Sequence, residues 1–168
     1  MYDIEQKKML KHVCTRWLSI GRCLNRLLHN WDPLKVFFAQ EHEKLHKVFQ
    51  KASEYTMSKV EGIFNFLKSP TNRLTTLFLN YSVKVFDEAL LPLQAEDPKI
   101  HFLQQILCSL IRSILTKFVK PSAMLYKSLK DVQYKELCNQ KDDNELVIGE
   151  AARDFLKKKT ENIFVVPE

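Results

Sequence analysis

The widest apolar stripe in the chain runs through Ile100, Leu103, Ile106, Leu107, Leu110, Ile111, Ile114, Leu115 and Phe118. Steps of three and four residues place these side chains on one helix face. A helix this broadly apolar is expected at the centre of a helical core. His101, Gln104, Gln105, Arg112 and Lys117 interrupt the same stretch. It therefore reads as a core helix and not as a membrane span, which needs about 18 or more nearly uninterrupted apolar residues. Only 3 of the 168 residues are glycine and 6 are proline. That scarcity points to long helices joined by few tight turns. With 45% hydrophobic and 27% charged residues, the composition is that of a globular chain.

The rest of the chain divides at its prolines. Met9 to Cys14 reads as a short strand or an extended lead-in, with helix beginning near Thr15 or Arg16. Trp17, Ile20, Leu24, Leu27, Leu28 and Trp31 then recur at helical intervals, with Arg22, Asn25 and Arg26 on the other face. Asp32-Pro33 is a restart signal, because Asp caps a helix and Pro fits its first turn. Ser69-Pro70-Thr71 breaks the next helical run, with Thr71 or Asn72 as the expected cap. The following helix is expected over about Arg73 to Leu91, with Leu74, Leu77, Phe78, Tyr81, Val85 and Phe86 facing inward. Lys120-Pro121 is expected to end the apolar helix. Val132 to Asn144 reads as a polar loop, and Glu145 to Lys159 as a final short helix. The expected organisation is a helical core over 1–131 and a loosely attached tail over 132–168.

Chemistry-bearing motifs are few. The net charge of +6 suits a polyanionic partner. Cys14, Cys23, Cys108 and Cys138 form no C-x-x-C pair, and with Met1 to Lys8 polar no cleavable signal is expected. Reduced thiols in an intracellular protein are expected. Gly-rich phosphate loops and a G-x-S-x-G elbow are absent. His42-Glu43-Lys44-Leu45-His46 matches H-E-x-x-H, which on a helix places two imidazoles on one face for zinc. Glu41, Lys44 and Lys47 flank it, the lysine charges disfavour a dication, and Phe49 and Ala52 stand where an extended motif would continue. The expectation is a solvated helix face without catalytic zinc; a zinc hydrolase using His42 and His46 is the remote alternative.

Residues 10 to 38 read LKHVCTRWLSIGRCLNRLLHNWDPLKVFF. This stretch resembles the segment around the Arg-Trp motif of hAT-superfamily transposases and the proteins derived from them, through Thr15, Arg16, Trp17, Leu18, Ser19, Arg22, Leu28 and Trp31. Residues 139 to 156, NQKDDNELVIGEAARDFL, resemble a later segment of the same proteins that contains an Ile-Gly pair, here Ile148-Gly149. Residues 40 to 130 have the helical texture of that family's insertion domain.

The resemblance implies a mainly α, multi-helix insertion-type domain with at most one short N-terminal strand, a fragment of a ribonuclease-H-like transposase. Such enzymes cleave DNA with metal ions held by three carboxylates. The resemblance places those three positions outside this chain, so no enzyme activity and no cofactor are expected. The family's motif Trp, which carries over to Trp17, can stack on a base, a contact of about 1–3 kcal/mol. Trp17 also opens an apolar stripe, and core packing is the reading preferred for it. Arg16, Trp17, Arg22 and Arg26 are the nucleic-acid-binding candidates. The expected role is a non-catalytic module binding protein or nucleic acid, with a DNA-binding remnant as the alternative. DNA, another protein, or a second copy meeting exposed apolar faces are the partners considered. No membrane association is expected, and a nuclear setting is implied by the resemblance alone.

Overall fold

The computed structural model describes residues 19–47, 54–94, 100–125 and 127–164. It is mainly helical, and no strand is formed among the described residues. The helices are α1 (Ser19–His29), α2 (Trp31–Lys47), α3 (Glu54–Lys68), α4 (Pro70–Leu90), α5 (Leu103–Leu115), the single turn α6 (Pro121–Met124) and α7 (Glu150–Phe164). Short 3-10 turns lie at Leu91–Gln94, Ile100–Phe102, Leu129–Asp131 and Leu137–Asn139. The expected strand at Met9 to Cys14 lies outside the described residues. The chain forms two compact units, residues 1–80 with 158–168, and residues 81–157.

In the first unit, α2 and α3 pack more extensively than any other pair of elements. Helix α2 opens one residue after α1 ends, because Asn30 continues the backbone ladder on both sides. Its amide bonds to the Arg26 carbonyl at 3.1 Å, and its carbonyl accepts from the Leu34 amide at 2.9 Å. Pro33 lies in the first turn of α2, where its missing N–H costs no helical bond. Trp31, expected at the end of the α1 stripe, instead begins α2 and is only 1% exposed. Its indole Nε1 donates to the Leu67 carbonyl at 3.2 Å, and its ring meets Phe66 with centroids 5.6 Å apart. One residue thereby buries a large apolar area and satisfies its polar atom.

The α3–α4 break falls at Ser69 as its proline dictates, with Pro70 as the first residue of α4. Ser69, and not Thr71 or Asn72, supplies the cap. Its Oγ accepts from the Asn72 amide at 3.4 Å. Thr76 is buried further along α4, with its hydroxyl donating to the Asn72 carbonyl at 2.7 Å. On the expected inner face, Leu74, Leu77, Tyr81 and Val85 are half-buried, whereas Phe78 and Phe86 are exposed.

In the second unit the core does not run along the apolar helix. It gathers beyond the C-terminal end of α5, where Leu115, Val119, Ala123, Met124 and Val132 pack with Phe118 and Leu129. Helix α5 ends at Leu115, earlier than Lys120-Pro121 dictates, in a turn whose Phe118 and Val119 amides both bond to the Leu115 carbonyl. Val119 then forms an isolated antiparallel bridge with Gln140. The amides of Lys120, Lys141 and Val147 bond to the carbonyls of Asn139, Phe118 and Lys117, at 2.8, 2.8 and 3.0 Å. These bonds stitch residues 139–147 to the end of α5. The segment read as a polar loop therefore carries a buried anchor, Val132, and a regular set of backbone bonds.

Helix α7 begins at Glu150 and not at Glu145. Gly149 just before it has φ +90°, a left-handed conformation that an L side chain resists. The five residues before it are held by Arg153, whose guanidinium donates to the Asn144 and Leu146 carbonyls.

Candidate functional site

Arg16 and Trp17 lie outside the described residues. The other two candidates of the basic set sit one turn apart on α1, where Arg22 is exposed and Arg26 half-buried. Asn25, on the same side, accepts a hydrogen bond from the Asn80 side-chain amide at 3.2 Å. That face is thus partly engaged within the first unit, and Arg22 is its exposed cation. The sequence gives no hint of a third arginine that matters here. Arg73 of α4 forms a two-pronged pair with Asp32, at 2.9 and 3.2 Å, and its guanidinium carbon lies 5.9 Å from the Trp31 ring centroid. Asp32 was expected as a helix cap; its carboxylate is spent on Arg73 instead. With Asp32 61% exposed, this pair contributes about 0.2–1 kcal/mol. Its chief effect is to fix the guanidinium beside the indole.

On α2, His42 and His46 point their Nε2 atoms at each other across 3.1 Å. The two rings have centroids 4.3 Å apart, and the Phe64 ring of α3 lies 5.1 Å from the His42 ring. Lys44, counted against a dication in the sequence, pairs with Glu41 at 2.7 Å. No group of three or more His, Cys, Asp or Glu side chains able to hold a metal ion occurs among the described residues. The arrangement brings together two nitrogen donors and does not supply the third that a zincin requires.

The second unit contains a polar node at the Ile-Gly pair of the second resembling segment. Lys117 Nζ donates to the Tyr81 hydroxyl at 2.8 Å and lies 4.1 Å from that ring's centroid. A Cβ placed on Gly149 would meet Tyr81 Cγ at 2.6 Å. The glycine is thus required twice, by its backbone angle and by the ring stacked against it. Nothing in the sequence pairs Tyr81 with residues 36 and 68 positions away.

The largest departure from expectation is α5. On α5 Leu103 is 36%, Leu107 46% and Ile111 47% exposed, and Ile100 in the 3-10 turn before it is 80% exposed. On its other side Ile106, Leu110 and Ser113 line an open cavity of about 250 Å³ together with Val85, Glu88 and Ala89 of α4. The helix expected at the core's centre has Ile106, Leu110 and Ile114 half-buried and leaves Leu103, Leu107 and Ile111 exposed.

No protein family, no characterised protein and no solved structure matches this chain.

Proposed function

We propose that this chain is a non-catalytic helical module, of the kind hAT transposase-derived proteins carry as an insertion, that works by binding protein through the outer face of α5. The observation that carries the reading is the exposed row Ile100, Leu103, Leu107 and Ile111. Contiguous apolar surface of this sort marks an association site more often than an idle surface. An amphipathic helix presents it in the form that a groove or a second helix accepts, through residues spaced by three and four. Self-association is the form that needs no further component. Light scattering on purified protein tests it: the weight-average mass rises above that of one chain between about 1 and 100 µM, the span of weak to moderate affinities. A mass of one chain throughout that range would contradict self-association. Incubation with plasmid DNA and Mg²⁺ or Mn²⁺ leaves the DNA uncut; metal-dependent nicking would overturn the non-catalytic reading.

The exposed Arg22 and the net charge of +6 favour nucleic acid as a second reading. Binding through such contacts weakens steeply with added salt, because counterions are released as phosphates are neutralised. Absence of DNA or RNA binding at low salt would remove it.

A further inference from the structure

The paired imidazoles of α2 carry an inference of their own. Residues four apart share a helix face, which brings His42 and His46 together but does not by itself aim their nitrogens. Here both Nε2 atoms converge at 3.1 Å. Two nitrogens bound to one ion at about 2.0–2.1 Å lie about 2.9 Å apart at a right angle and about 3.4 Å apart at the tetrahedral angle. The observed separation of 3.1 Å falls inside that interval. The Phe64 ring at 5.1 Å packs against the His42 ring and restricts its rotation. Lys44, whose ammonium charge would oppose a dication, is paired with the Glu41 carboxylate at 2.7 Å.

We propose that His42 and His46 form a two-point chelate for a late first-row divalent cation. Imidazole is a donor suited to Zn²⁺, Ni²⁺ and Cu²⁺ and poor for Mg²⁺ or Ca²⁺. With two protein nitrogens, water completes the coordination, so the ion exchanges readily and the site is neither a closed structural centre nor the three-ligand centre of a hydrolase. The H-E-x-x-H spacing thus provides a clamp without the chemistry that usually accompanies it. The site lies in the first unit and does not depend on the α5 reading.

Calorimetric titration of the full chain with Ni²⁺ is the test, since thiols compete less for Ni²⁺ than for Zn²⁺. The chain binds one equivalent at the pair. His42→Asn and His46→Asn each weaken that equivalent by about tenfold or more, because a chelate is reduced to a single donor. His101→Asn, on the 3-10 turn before α5, leaves it unchanged. Circular dichroism of each variant shows the helix content of the parent, and Ca²⁺ gives no heat at the same concentrations. Nickel binding with the same affinity in the parent and both α2 variants would overturn the proposal and leave the 3.1 Å approach as a hydrogen bond between two rings. So would absence of any nickel binding, or equal binding of Ca²⁺.

Discussion

At the scale of single residues, two glycines make opposite demands. Gly62 lies inside α3 with nothing within 4 Å of where its Cβ would sit. A helical glycine there leaves unfolded-state entropy unopposed, so Gly62→Ala raises stability by about 0.4–1 kcal/mol. Gly149→Ala meets both a φ of +90° and the Tyr81 ring at 2.6 Å. Backbone strain alone costs about 1–3 kcal/mol, and the clash adds to it. Thermal melts of the two variants therefore move in opposite directions; a shift of the same sign in both would contradict the geometry at Gly149. Trp31→Ala removes the most buried large side chain among the described residues of the first unit and costs about 3–5 kcal/mol by chemical denaturation. The sequence singles out Trp31 and Gly149, but for reasons other than those that apply. Trp31 belongs to a periodic stripe whose helix ends two residues earlier, and the Ile148-Gly149 pair says nothing of the tyrosine against it. Long-range partners of this kind have no signature in local spacing.

At the scale of elements, helix existence is legible almost throughout and helix burial is not. Pro70 and Ser69 set the α3–α4 break as their local chemistry dictates, whereas Asp32-Pro33 falls inside the first turn of α2 and Asp32 is not its cap. The apolar period of α5 is equally plain, yet period tells only which side chains share a face. It does not tell whether that face meets the protein or water. Conversely, residues 132–147 look polar because their core contribution is concentrated in Val132, while backbone bonds to Phe118 and Lys117 hold the rest. Stability in the second unit accordingly follows the 115–132 cluster. Met124→Ala costs about 2–5 kcal/mol, whereas Leu107→Lys on the outer row changes stability by no more than about 0.5 kcal/mol. The reverse order in urea melts would return α5 to the core. Exposure of α5 also appears in its thiol. Cys108 and Cys138 are exposed and Cys23 half-buried, so limited alkylation followed by peptide mass analysis modifies the first two ahead of the third.

At the scale of the whole molecule, the candidate site was legible in part. The H-E-x-x-H pair and the α1 arginines come directly from spacing, whereas the Arg73–Asp32–Trp31 group joins residues 41 positions apart and only folding assembles it. The Arg16-Trp17 pair that carries the resemblance lies outside the described residues, and its role rests on the resemblance alone. Met124 and Val132 are buried while Leu107 and Ile111 are exposed, and the proposal is that a partner covers that row. Sedimentation velocity on the parent and on a Leu107→Lys/Ile111→Lys double variant asks this directly. The parent sediments faster as its concentration rises, while the double variant stays at the value of a single chain with unchanged helical circular dichroism. Equal association of the two proteins, or loss of helix in the variant, would contradict the assignment of α5 as the binding face.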